Sequence, residues 1–247
     1  MGRLVALIVV LLLSSAAALS VFMTPPTNDQ TIYDVSWPNC GVRPPPNSIW
    51  AIVGVNGGLD FRMNPCLDKE ASWFGHVALY ANTGYPGIVY GKRRDNGPRH
   101  CRASDKLCRA YNYGYTATAY SIRYADSQGI HSPLWWLDVE ADNSWTTNTF
   151  ANRASLEGAI DAIHQNVFLA IVGLYSYPTQ WTAIVGDWRI NLPTWEATGG
   201  YSLAPALDAC RNTGFGASMP WITQYTTALD VDHACNLNFY SSLDHGL

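Results

Sequence analysis

A TIM-like (β/α) barrel is the fold this sequence predicts, and three observations carry the prediction. Short, nearly continuous apolar runs alternate with helical patterns, as in a parallel sheet covered on both faces. Seven or eight such runs share about 215 residues without a Pro/Ser linker or charge block, which favours one closed or partly closed barrel over an open doubly wound sheet. The run Trp135-Trp136-Leu137-Asp138-Val139-Glu140 ends in two carboxylates two positions apart, where barrel enzymes gather catalytic groups. Periodicity alone does not close a sheet, so an open sheet stays as the alternative, and irregular last strands are expected.

Along the chain, Met1-Gly2-Arg3 leads into the apolar stretch from Leu4 to Leu13 and then the small residues Ser14 to Ser20. A basic start, a short apolar core and a small-residue region form the pattern of a secretory signal, so residues 1–20 are set aside. A spanning helix needs about 20 apolar residues, so stable membrane insertion is not expected and a secreted or cell-wall-associated protein is. Residues 21–30, with Pro25-Pro26, read as an exposed lead-in, and residues 31–247 as a single barrel domain.

Strand candidates are Thr31 to Val35, Ile49 to Val55, Val77 to Ala81, Leu134 to Val139, Leu169 to Tyr175, Thr194 to Ala197 and Trp221 to Tyr225. Helical candidates are Pro65 to Phe74, Cys108 to Gln128, Thr149 to Gln165 and Leu203 to Thr213. Within the third, Ala154, Leu156, Ala159, Ile160 and Ile163 form an apolar face soon after Glu140. A strand, a loop at Asp142-Asn143-Ser144 and then a helix place both carboxylates at a strand's C-terminal end.

Six cysteines in an exported chain favour disulfides over metal ligands. Proximity suggests Cys40 with Cys66, Cys101 with Cys108 and Cys210 with Cys235, among roughly 15 possible pairings. A formal charge of −4 with 14% charged residues argues against a nucleic-acid partner held by net charge. One basic segment stands out: Lys92-Arg93-Arg94, Arg99, His100, Arg102, Lys106 and Arg109 fit either a solvated loop or a rest for an anionic polymer. A monomer is expected, without cofactor or metal, since the six histidines are scattered.

In a strand, residues i and i+2 share a face, so Asp138 and Glu140 stand side by side. Neighbouring carboxylates repel when both are ionised, which keeps one protonated near neutrality. One acid and one base are what glycosidic cleavage requires. The plainer reading is a capping Asp beside a solvated Glu.

Further residues join that end of the chain: Ile32-Tyr33-Asp34-Val35-Ser36-Trp37 closes the first strand, and Gln224-Tyr225 precedes Asp230-Val231-Asp232. With Asp34-Val35-Ser36 and Leu137-Asp138-Val139-Glu140, the chain resembles family-25 glycoside hydrolases, the N,O-diacetylmuramidase lysozymes, or a related branch of secreted envelope proteins. Tyr175-Ser176 and Trp195-x-Ala197 are weaker matches. The family's late Trp-Gln-Tyr and Val-Asp-Leu-Asn pattern is altered: Thr223 precedes Gln224-Tyr225, Val231-Asp232 is followed by His233-Ala234, and a second candidate, Asn236-Leu237-Asn238, carries Asn in the Asp position.

The resemblance implies cleavage of the β-1,4 bond between N-acetylmuramic acid and N-acetylglucosamine in peptidoglycan. It implies Glu140 as general acid, Asp138 assisting as nucleophile or by orienting the substrate N-acetyl group, and Asp34 with Asp232, or Asp230, tuning the pair. The other reading is an inactive glycan-binding envelope module of the same fold. Ten Trp and 14 Tyr suit a sugar cleft. Trp37, Tyr80, Trp136, Tyr175, Trp195, Gln224 and Tyr225 are the substrate-binding candidates, although large aromatics also fill cores. Glu196 lies near a strand end with no motif to assign it a task. No nucleophile elbow, phosphate loop or His-Glu-x-x-His zinc pair occurs.

Overall fold

The computed structural model describes residues 31–45, 49–87, 97–236 and 238. The leader, the lead-in, Lys92-Arg93-Arg94 and Leu237 lie outside the described residues. Eight strands close into a barrel in sequence order: β1 (Ile32–Val35), β2 (Trp50–Gly54), β3 (His76–Asn82), β4 (Leu134–Asp138), β5 (Ile171–Ser176), β6 (Thr194–Ala197), β7 (Pro220–Thr226) and β8 (Asp230–Ala234). The first seven pair in parallel, whereas β8 runs antiparallel to both β7 and β1. The open-sheet alternative is therefore set aside, and the irregularity sits in the last strands.

Helices α1 (Leu67–Ala71), α2 (Lys106–Ser127), α3 (Thr149–Asn166), α4 (Pro178–Val185) and α5 (Leu203–Ala209) occupy the successive crossovers from β2 to β7. A parallel pair needs such a crossover, and the tight β7–β8 hairpin does not. Two of these elements were not legible as periodic runs. α4 is a short helix opening on Pro178, and β8 reads Asp-Val-Asp-His-Ala, with carboxylates where an apolar strand would carry aliphatics.

Alternation along the strands sorts the apolar residues into two cores. Ile32, Ile52, Leu134, Trp136, Trp195 and Ile222 fill the barrel. Val53, Leu79, Leu137, Leu156, Ile163 and Leu174 pack between strands and helices. Burying each such aliphatic side chain contributes about 1.5–3 kcal/mol. The helix starts are capped as their sequences allow: the Asp105 carboxylate accepts from the Cys108 N–H at 3.0 Å. Asn148 accepts from the Phe150 and Ala151 N–H groups at 3.1 and 3.2 Å.

Where α2 and α3 cross, glycine is obligatory. A Cβ on Gly114 would stand 1.8 Å from the Ser155 carbonyl oxygen, and one on Gly158 would stand 2.0 Å from that of Tyr111.

Disulfides join Cys40 to Cys66, Cys101 to Cys108 and Cys210 to Cys235. Among the described residues no helix is long and apolar enough to cross a membrane.

Candidate active site

The C-terminal ends of the parallel strands and the N-terminal end of β8 form one mouth. There Asp34, Asp138, Glu140 and Asp230 border a cleft of about 380 Å³ together with Ser36, Asn82 and other polar and aromatic groups. Asp138 ends β4 and Glu140 follows two positions later, so the strand's alternation delivers both to the interior face. Asp34 reaches the same space by the same rule on β1.

Asp138 is the most firmly held of the four. It accepts a hydrogen bond from the Asn82 amide and a longer one from Asn143 Nδ2 at 3.5 Å. Its backbone carbonyl takes the Thr83 hydroxyl at 2.6 Å. Burial, then the charges of Glu140 and Asp34, push its carboxyl well above the usual range, against the Asn143 amide. Glu140 is pushed up to about 7, by burial first and then by the charges of Asp142 and Asp230. Burial, Asp230 and Glu140 likewise raise Asp34. Gln224 Nε2 donates to Asp34 Oδ2 at 3.3 Å, while Gln224 Oε1 accepts from the Tyr175 hydroxyl at 2.7 Å. The other Asp34 oxygen, Oδ1, is buried without a partner.

Asp232 lies below this cluster rather than in it. It is 1% exposed and accepts from Trp195 Nε1 at 2.8 Å. Because β8 descends from the mouth, its first residue stands highest, so Asp230 borders the cleft and Asp232 sits a pleat deeper. Burial and the nearby Asp34 raise its carboxyl well above the ordinary value, and its Oδ2 is buried without a partner.

The aromatic candidates divide in the same way. Trp37, on a single 3-10 turn after β1, is 49% exposed at the rim. Tyr80, Tyr175 and Trp195 border the cleft, as does Tyr177, which sequence reasoning passed over. Gly54 makes room for Tyr80, since a Cβ there would lie 2.8 Å from both Tyr80 Cζ and Ser36 Cβ. Trp136 does not reach the cleft. It is fully buried beneath it, edge-on to Trp195 at 5.8 Å between ring centroids and pressed on Gly173. Tyr225 alternates with Gln224 and does not border the cleft either.

Asn82 and Asn143 were also missed, because an amide at a strand end carries no motif. The only available signal for Asn82 was its parity with Tyr80. No group of three or more His, Cys, Asp or Glu side chains able to hold a metal ion occurs among the described residues.

What the arrangement offers is a set of crowded carboxylates of unequal burial, all held above their ordinary pKa range, in an open polar cleft edged by aromatic rings. No family model and no curated protein matches the sequence. Three solved structures match the fold, two of them with a TM-score above 0.5. The catalytic domain of endolysin ply40 from bacteriophage P40 of Listeria monocytogenes superimposes with a TM-score of 0.52 at 13% identity, over 87% of this chain and 97% of that one. A family 25 glycosyl hydrolase from Bacillus anthracis gives a TM-score of 0.52 at 12% identity, over 89% of this chain and 94% of that one. In architecture, then, this chain shares the barrel of a phage endolysin catalytic domain and of a family 25 glycosyl hydrolase.

Proposed function

We propose that this protein is a secreted muramidase that cleaves the β-1,4 bond between N-acetylmuramic acid and N-acetylglucosamine in peptidoglycan. The observation that carries the reading is the convergence of Asp34, Asp138, Glu140 and Asp230 on one open cleft. The barrel shared with an endolysin domain and a family 25 hydrolase supports it.

Glu140 is the general acid. Its pKa of about 7 leaves it protonated at mildly acidic pH, and it sits beside a cleft through which it can be reprotonated. Asp138 stabilises the oxocarbenium-like transition state, as nucleophile or by orienting the N-acetyl group of the substrate. The amides of Asn82 and Asn143 fix its orientation. Asp34 and Asp230 keep the pair's pKa values high and position water or sugar hydroxyls. Trp37 and Tyr177 offer faces for pyranose rings at the rim.

One feature favours a second reading, an inactive glycan-binding module: the family's late Val-Asp-Leu-Asn is altered, as Val231-Asp232-His233-Ala234 or with Asn236 in the Asp position. Asp230 supplies a carboxylate to the mouth from a different position, which weighs toward catalysis.

The test is release of muropeptides from purified peptidoglycan, read by mass and reducing end. Wild type should release fragments ending in reducing muramic acid, and Glu140→Gln should be slower by about 10²–10⁴-fold. No release by a folded wild-type protein at any pH would leave the binding module as the better account.

A further inference from the structure

Glu196 is an acid that the catalytic proposal does not use. β6 alternates, so Trp195 turns into the barrel and Glu196 turns out toward the helices. Glu196 is 9% exposed, and its Oε2 accepts the Phe215 N–H at 3.3 Å. The chain closes on it so tightly that a Cβ on Gly214 would stand 2.0 Å from that oxygen. No other hydrogen-bond partner reaches the carboxylate among the described residues, and it borders a hollow of about 340 Å³.

Trp188 stands beside it in the same hollow. It stacks on buried Trp181 with centroids 5.7 Å apart and planes 8° from parallel, which fixes its orientation. Trp188 also borders a second hollow, of about 640 Å³, with Phe150, Arg153 and Glu157. There Phe150 is 65% exposed, and the Arg153 guanidinium lies 5.3 Å from its ring centroid. That guanidinium is itself anchored, to the Val185 carbonyl at 2.5 Å and to Asp187 at 2.8 Å. Both hollows border Trp188 and are taken together as an outer trough, and none of their residues borders the catalytic mouth.

Aromatic rings flanked by carboxylates, of which Glu196 is held by the Phe215 N–H, and by an anchored guanidinium match the apolar faces and hydroxyl edges of pyranose rings. The trough carries both signs of charge, Asp105, Glu157, Asp187 and Glu196 against Arg99, Arg153 and Arg189, so it suits neither a polyanion nor a polycation. We propose that this outer trough binds a second stretch of glycan strand, an N-acetylhexosamine polymer. It holds insoluble substrate while the mouth acts on it, and two linked sites on one polymer raise retention beyond either alone. The identity of the polymer rests on the muramidase reading.

The test separates binding from turnover. In the Glu140→Gln protein, Phe150→Ala and Glu196→Gln are added singly, and sedimentation with insoluble peptidoglycan is measured. Each should weaken retention about tenfold, equivalent to about 1.4 kcal/mol. Trp188→Phe, which keeps an aromatic face, should retain binding better than Trp188→Ala. In the protein with Glu140 intact, Phe150→Ala and Glu196→Gln should leave turnover of a short soluble muropeptide unchanged. Equal retention by Phe150→Ala and its parent overturns the proposal, as does retention abolished by high salt, which would mark an ionic polymer. Phe150 is exposed, so this arm stands even if Glu196→Gln fails to show a thermal transition. Loss of retention without cleavage by any form would sink the muramidase reading alone, and cleavage with equal retention would sink the trough alone.

Discussion

Glu140 combines burial with access. Asp142 is the first charge that helps hold its pKa near 7, and in the proposed mechanism the acid form is the one that donates, so activity should fall as pH rises through about 7. The acidic limb belongs to Asp138, which must be ionised and is raised, so it should lie above the ordinary Asp value of 3.8. Asp142→Asn removes a charge that disfavours ionisation of Glu140 and should move the alkaline limb of kcat/KM to lower pH. A limb that stays in place would refute this electrostatic account. Asp232 makes a stability prediction instead. Its folded-state pKa is raised, so the native state binds its proton more tightly than the unfolded chain does, and stability falls as pH climbs above about 4. Asp232→Asn, able to accept from Trp195 without carrying charge, should flatten the fall in Tm as pH rises above about 4. At this scale the sequence spoke clearly for Asp138 and Glu140, because strand alternation is local. It named Asp232 ahead of Asp230, whereas Asp230 borders the cleft, because which stands higher depends on the direction of β8, a property of pairing partners far away in the chain.

Elements were legible to the degree that their own residues determine them. β6 has the expected bounds, and α2 and α3 differ from expectation by two residues or fewer at either end. Apolar runs and N-terminal caps signal them directly. α1 and α5 are shorter than their helical patterns, and α4 and β8 were not read at all. α4 buries Trp181, Ile184 and Val185 within eight residues, too few turns for a period to show. The crossing of α2 on α3 was likewise invisible, since an isolated Gly114 or Gly158 reads as a weak helix position. In the fold each glycine admits the partner helix's backbone. Gly114→Ala should therefore destabilise by about 1–3 kcal/mol or more, despite alanine's better helix propensity. Urea unfolding checks the sign, and a gain in stability would show that the helices can part without cost.

For the molecule as a whole, the disulfides tie the turn after β1 to the start of α1 and the end of α5 to the residue after β8. Loops separated by 26 and 25 residues should each contribute about 3–4 kcal/mol by restricting the unfolded chain. Reduction should lower Tm markedly, and an unchanged Tm would mean that the barrel's packing suffices. The antiparallel final strand has a consequence for how the cleft is assembled. Its seam joins Asp34 to Asp230 and Ile32 to Asp232, so the ring is sealed by residues nearly two hundred positions apart. Contacts this distant in sequence form slowly. The two carboxylates that face each other across the seam also belong to the cleft, so a chain emerging N-terminus first holds no complete constellation until its last strand docks. Closing the barrel and completing the cleft are then a single event, and a chain halted short of that strand lacks the Asp230 side of the mouth.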